Sequence, residues 1–381
     1  MDFEYDEEQQ ALREAVRGLL GKAYGDFENR RRTAADEPGF DEKLWARLAE
    51  MGVLGLPFAE EDGGMGAGPV EVGIVAQEIG RVVAPEPFLT SVVLAGGAVA
   101  AAGSAQQRSE VLGALASGES VLAFAHAEPG RRWSPDATAV TATRSGDDWT
   151  LTGVKEPVPH GARADLLIVT AALPGGGTGL FRVSPDATGL SRDGYPTHDG
   201  GRAARVSLES TSAVPLGEAG ADQTSAIEAA LDAGRIAAAN EAVGAMEVAL
   251  STTSGYLKSR KQFGVTLNTF QALTFRAADM YVSLELARSV ALWASMVLAS
   301  GSAAAAHQAA SRAGLQASRA GRHIGQEAIQ LHGGIAMTAE YNVGTFTSRL
   351  TALDHLLGDG QFHLAALAGG IGGYDEVEPL P

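Results

Sequence analysis

Three observations predict an α+β chain of several domains, helical at both ends and β-rich in the middle. Apolar residues recur at helical spacing up to about residue 118 and again from about 223. Between these stretches the pattern changes to short β-rich runs punctuated by Gly, Asp and Pro. The length of 381 residues gives room for two or three domains with a large core. The expected division is a helical domain at 1–118, a β domain at 119–222, a helical bundle at 223–373 and a tail at 374–381.

At the amino-terminal end, Ala11, Leu12, Ala15, Val16, Leu19 and Leu20 make one apolar stripe; Leu44, Trp45, Leu48 and Met51 make another. The polar run GDFENRRRTAADEPGF between them reads as a loop. The glycine-rich stretch at 55–68, GLPFAEEDGGMGAG, has neither a Lys-Ser/Thr pair nor a following strand–helix unit, which speaks against a phosphate-binding P-loop. EVGIVAQEIGR then reads as a further helix.

Near Ser120 the period shortens. VLAFAHAEP, DATAVTATRSGDDWTLTG, ADLLIVTAAL, GTGLFRV and RAARVSLE read as strands, with 137–144 and 149–152 flanking SGDD as a hairpin. From Thr224 three long Ala-rich segments follow, at about 224–260, 268–300 and 302–332, with a shorter one near 343–370. Short connections make them antiparallel neighbours, so the expected unit is a four-helix bundle. The acidic, proline-containing tail YDEVEPLP reads as frayed.

Charge and composition narrow the function. A formal net charge of −17, from 29 Lys+Arg against 46 Asp+Glu, argues against nucleic-acid and anionic-membrane partners while leaving room for a locally basic anion site. No cysteine is present, which removes disulfides, thiol nucleophiles and thiolate metal sites. His126, His160, His355 and His363 have no metal-ligand spacing. The start, MDFEYDEEQQ, lacks the basic and apolar regions of a signal peptide. The longest low-polarity run, at about 91–103, is shorter than the ~20 residues that span a bilayer. A soluble, cytoplasmic protein is expected.

Residues 231–271 organise the carboxyl-terminal half. Ile236, Ala239, Val243, Met246, Val248 and Leu250 recur through Leu257 without a proline, as in a long buried helix. It ends in Tyr256, Arg260, Gln262, Phe263 and Gly264, and Gln271 opens the next helix. As pure structure, Gly264 suits a C′ cap and basic residues suit a last turn. A later helix closes on Gln330, Leu331, His332, Gly333 and Gly334, where the glycines suit a cap and His332 a helix dipole.

These two ends, Y-x-x-x-R-x-Q-F-G with Gln seven residues later and Q-x-x-G-G about 70 residues on, resemble the acyl-CoA dehydrogenase family. The resemblance extends over roughly 5–370, and includes 55–68, which is similar to the family's G-L-P-x-P-E-x-Y-G-G-x-G. It implies the acyl-CoA dehydrogenase fold: N-terminal helical domain, middle β domain and C-terminal four-helix bundle. It also implies that Arg260 and Gln262 hydrogen-bond the FAD pyrophosphate of a neighbouring subunit, with Phe263 near its adenine. Gln271, Gln330, Gly333 and Gly334 complete this adenine-side half-site. The chemistry suits the residue types: a guanidinium fork matches phosphate oxygens, an aromatic face suits a purine, and glycine admits close backbone approach.

Elsewhere the chain departs from that pattern. Ala127, Glu128 and Pro129 stand where the family usually has T-E-P, followed by Gly130, Arg131, Arg132, Trp133 and Ser134 instead of small residues. In place of G-x-K-x-W-I-T the chain has Gly153, Val154, Lys155, Glu156, Pro157, Val158 and Pro159, so a tryptophan and a threonine both become proline. Proline offers neither hydroxyl nor backbone donor. Gly234 and Leu357 occupy the two places where the family carries its proton-abstracting Glu. Substitutes are Glu241, ~10 Å along the helix from Gly234, and Asp359, next but one to Leu357. Their bland readings are a satisfied buried acid and a turn residue.

The expected function is therefore an FAD-linked acyl-CoA dehydrogenase component with an incomplete catalytic set. It resembles the partner-type subunit of α2β2 members that act on bulky CoA thioesters, including steroid side chains, and implies an electron-accepting flavoprotein. A self-sufficient homo-oligomer using Glu241, Asp359 or another flavin reaction is a second reading. A structural subunit without flavin is a third.

Overall fold

The computed structural model describes residues 4–131, 133–338 and 340–373; Arg132 and the tail expected to fray at 374–381 lie outside them. At the amino-terminal end come α1 (Glu7–Tyr24), α2 (Phe27–Ala35), α3 (Glu42–Glu50) and α4 (Pro69–Val82). A π-helical run, Phe88–Gly96, then passes into α5 (Gly97–Ala102), and α6 (Ala105–Ala116) follows. Asp6 starts α1 with a capping box to Gln9. The run read as a loop is in fact α2, capped by Asp26. Its inward side chains are only Ala34 and an arginine: Arg30 is buried and donates to the carbonyls of Val83 and Asp199. No apolar stripe announces such a helix.

The middle domain holds β1 (Leu122–Ala125), β2 (Thr141–Ser145), β3 (Asp148–Pro159), β4 (Leu166–Ala172), β5 (Thr178–Val183), β6 (Leu190–Pro196) and β7 (Arg202–Pro215). Strands β4, β2, β3, β7 and β5 pair in a closed circuit, with β1 parallel on β4 and β6 on the outside of β7. The predicted hairpin turns at Gly146 and Asp147, between paired Ser145 and Asp148. Strand β2 begins at Thr141 rather than 137, because the N–H groups of Thr138, Ala139 and Val140 go to the Glu128 carboxylate instead of a strand. Strand β6, LSRDGYP, was not anticipated; it pairs only with β7 and is mostly exposed, so it carries no apolar alternation. Pro157 falls in a register shift between Lys155 and Val158, where the ladder asks no N–H of it.

The carboxyl-terminal part contains α7 (Thr224–Ser259), a small hairpin β8 (Lys261–Gln262) and β9 (Val265–Thr266), then α8 (Gln271–Ala299) and α9 (Ala303–His332). The last segment, expected as one helix near 343–370, is two: α10 (Val343–Leu356) and α11 (Gly360–Gly369). Gly358, at φ +134°, leaves helical geometry, and Asp359 caps α11 by accepting the N–H groups of Gln361 and Phe362. Helices α4 and α7 cross in backbone contact. A Cβ on Gly80 would run into the Glu241 carbonyl, and one on Gly244 into that of Gln77. Helix α8, not the run at 91–103, is the longest apolar stretch. By length and composition it could cross a membrane; here one side packs in the bundle while Phe275, Val282 and Leu286 face outward.

Candidate functional site

Three aromatic rings bring the two motifs of the bundle together. Tyr256, near the end of α7, lies 4.5 Å from His332 at the end of α9, and Tyr341 stands 5.0 Å from His332 on another side. His332 is not the charged dipole partner the sequence suggests. Its Nδ1–H donates to the Ala328 carbonyl at 2.7 Å, its Nε2 is buried without a partner, and burial lowers its pKa. It acts as a neutral packing ring.

Around this cluster the motif side chains are presented outward. Arg260 ends α7, its N–H bonded to the Tyr256 carbonyl at 2.8 Å. Gln262 ends the first strand of the β8–β9 hairpin, whose turn is Phe263 and Gly264, both at positive φ; Phe263 stands 91% exposed. Gln271 opens α8, and Arg260, Gln262, Gln271, Gln330, Gly333 and Gly334 are all exposed. Gly333 has φ +69°, and open space surrounds both glycines where a Cβ would stand. An exposed guanidinium, three amides, an aromatic face and bare backbone make a donor set that fits a nucleotide pyrophosphate.

The departures from the family pattern converge on a separate cavity of about 330 Å³, between the middle domain and the bundle. Ala127, Pro129, Pro157 and Pro159 line it from the β side; Leu94 and Leu231 line it from the helices, and His355, Leu356 and Leu357 from the end of α10. Of the two positions the resemblance gives for the base, Leu357 lines this cavity and Gly234 lies behind it, where a Cβ would stand 3.0 Å from Leu357 Cδ1. Neither carries a carboxylate. The Glu128 carboxylate borders the cavity but is fully used by Lys155 Nζ at 2.8 Å and by three backbone N–H groups. Burial opposes its charge, yet these partners pull its pKa down to about 2. Burial in turn pulls Lys155 down to about 8. Ala127, Pro157 and Pro159 offer this space no side-chain hydrogen-bond donor.

Neither candidate acid is free to act as a base. Glu241 is buried and ion-paired with Arg349, 2.7 Å from its Nε, while Arg349 also holds Asp199 at 2.6 Å. Burial raises the Glu241 carboxyl and Arg349 draws it back. Asp359 is spent as the cap of α11. Sequence reading passed over Arg349 and Asp199. It also assigned nothing to Trp133, although a tryptophan, one of only four in the chain, is a strong signal in a Gly/Arg loop. A larger cleft of about 1040 Å³, bordered by Arg30, Asp199, Arg202 and Tyr341, contains none of the motif residues.

Comparison with known proteins agrees with this architecture. The family profile described as acyl-CoA dehydrogenase, N-terminal domain, matches residues 6–119, and that for the C-terminal domain matches 224–372. The acyl-CoA dehydrogenase IpdE2 of Mycobacterium tuberculosis is 34% identical over 92% of this chain and 93% of that protein. Among solved structures, the steroid ACAD Tcur3481–Tcur3483 is 33% identical with a TM-score of 0.87, covering 96% of this chain and 98% of its own. The ChsE4–ChsE5 complex from Mycobacterium tuberculosis is 26% identical with a TM-score of 0.88, covering 99% and 100%. Fold, motif geometry and these matches together place the chain in the acyl-CoA dehydrogenase family.

Proposed function

We propose that this chain is the adenine-side subunit of a cytoplasmic, heteromeric, FAD-dependent acyl-CoA dehydrogenase acting on a lipid or steroid CoA thioester. The observation that carries this reading is the asymmetry between its two half-sites. Arg260, Gln262, Phe263, Gln271, Gln330, Gly333 and Gly334 are exposed and unencumbered. The ring-side cavity has two prolines and an alanine where donors belong, and Leu357, with Gly234 behind it, where a base belongs. Two of the similar solved structures bear paired names, one of them a steroid ACAD, which supports a paired assembly.

When bound, FAD accepts the hydride that leaves the substrate's β carbon. This chain's part is to hold the cofactor's far end: Arg260 on the pyrophosphate, Phe263 on the adenine and the three glutamine amides around them. A related subunit supplies the base and the ring contacts, and an electron-accepting flavoprotein reoxidises the pair. In a homodimer every site would join an intact adenine side to the altered ring side. Several lost hydrogen bonds at ~0.5–1.5 kcal/mol each lower cofactor affinity by orders of magnitude.

Purification alone and after co-expression with a relative carrying T-E-P, W-I-T and the Glu tests this. The chain alone should be FAD-poor and inactive on acyl-CoA; the pair should hold about one FAD per heterodimer and oxidise its substrate. Arg260→Ala should strip flavin from the pair more than Glu241→Gln does, by the ~1.5–3 kcal/mol of a charge-assisted contact. A fully flavinated homo-oligomer that oxidises acyl-CoA unaided would rule the reading out.

A further inference from the structure

A buried cation is ordinarily ion-paired, because taking a lone charge out of water is costly. Arg30 departs from this. It is only 5% exposed, yet it makes no ion pair among the described residues. Its Nε and Nη2 donate to the Val83 and Asp199 carbonyls, each at 3.0 Å, and neither acceptor carries a formal charge. The Asp199 carboxylate is already taken by Arg349, Thr197 and the Gly201 N–H. Nη1 has no hydrogen-bond partner among the described residues, and Gly200 lies against it without a side chain: a Cβ there would stand 3.3 Å away.

This guanidinium borders the larger cleft, of about 1040 Å³. Arg202 borders it too; its Nη groups hold Glu37 and the Ala35 carbonyl, while its Nε is buried without a partner. Gly344 and Thr345, in the first turn of α10, line the same space, and no side chain caps that helix. The acids that line it are Glu28 and Asp199, and Glu28 is held by Arg31 at 2.8 Å. Phe27, Ile329 and Met337 supply apolar surface.

We propose that this cleft binds a phosphate ester of nucleotide size, its phosphate on Arg30 and Arg202 and its apolar body against Phe27, Ile329 and Met337. The anion supplies the counter-charge that the chain itself does not give Arg30, and it accepts from the unused N–H groups of both guanidiniums. An uncapped helix N-terminus favours the same charge. The volume stands at the upper end of the roughly 300–1,000 Å³ of small-molecule clefts. None of the adenine-side motif residues borders it, so this site is separate from the FAD half-site and stands without it.

Titration calorimetry of the full-length chain carrying Arg260→Ala, which removes the adenine-side guanidinium, tests this with ADP and inorganic pyrophosphate. Both should bind once per chain and compete with each other, and adenosine should bind at least about tenfold more weakly than ADP. Adding Arg202→Gln or Arg30→Gln should weaken ADP binding by about tenfold or more, the loss of one charge-assisted contact. Circular dichroism establishes that each variant is folded; should Arg30→Gln not fold, Arg202→Gln decides. Absence of ADP and pyrophosphate binding at millimolar concentration would overturn the proposal. So would adenosine binding as tightly as ADP, or an ADP affinity unchanged in either folded variant.

Discussion

His160 follows Pro159 at a positive φ of 56° and is enclosed between the middle domain and the amino-terminal helices. Its Nε2–H donates to the Pro85 carbonyl at 3.2 Å, and the Thr90 hydroxyl donates to Nδ1 at 3.0 Å. Both ring nitrogens are satisfied in the neutral form. Burial, the largest influence, pushes the pKa down to about 4, against ~6.5 for an unfolded chain. A depressed folded value means the unfolded state binds more protons between the two. The associated stability is complete above ~6.5 and is lost as pH falls towards 4, at about 1.4 kcal/mol per pH unit. His126, also pushed down to about 4 by burial, adds to the same slope. His160→Asn, which tolerates the left-handed backbone, should therefore flatten the loss of unfolding free energy between pH 7 and 5, measured by urea titration. An unchanged slope would refute this. At this scale the sequence displayed every departure from the family pattern, because each is a substitution inside a short motif. It could not display the Arg349 pairs with Glu241 and Asp199, whose partners lie 108 and 150 positions apart.

At the scale of elements, the crossing of α4 and α7 is the tightest contact between helices of different domains, and it depends on missing side chains. An added methyl at Gly244 meets backbone, which cannot turn aside as a side chain can. Gly244→Ala should destabilise by ~1–3 kcal/mol or more through overpacking. Gly255, on the same helix with open space around it, is the control: Gly255→Ala should stabilise by ~0.5–1 kcal/mol. Melting temperatures that move in the same direction for both would contradict the close-packing account. The long helices α7, α8 and α9 were legible because each has a proline-free, alanine-rich pattern ending at a glycine or polar cap. Helix α2 and strand β6 were not, since α2 buries an arginine and β6 is a polar edge. The break at Leu357, Gly358 and Asp359 did have a signal: Gly-Asp is a helix stop followed by a cap.

For the whole molecule, two guanidiniums meeting at Asp199 join all three domains. Arg349 on α10 binds Glu241 of α7, and it binds Asp199 of the middle domain; Arg30 of the amino-terminal domain donates to the Asp199 carbonyl. Two buried carboxylates against Arg349 keep it charged, and Thr197 and the Gly201 N–H share the load on Asp199. Cutting the centre out strands two buried negative charges, a worse outcome than never having buried them. Arg349→Met should thus cost ~3–5 kcal/mol, read as a lowered denaturant midpoint, and calorimetry should show the single unfolding transition broadening as the domains lose their common anchor. Adding Glu241→Gln and Asp199→Asn to that variant should recover most of the loss, because both removed charges lack a partner by then. If the triple variant is instead less stable than Arg349→Met by the sum of the separate losses, the three residues act independently. The junction would then be three local contacts, and Glu241 would again need another explanation for its burial.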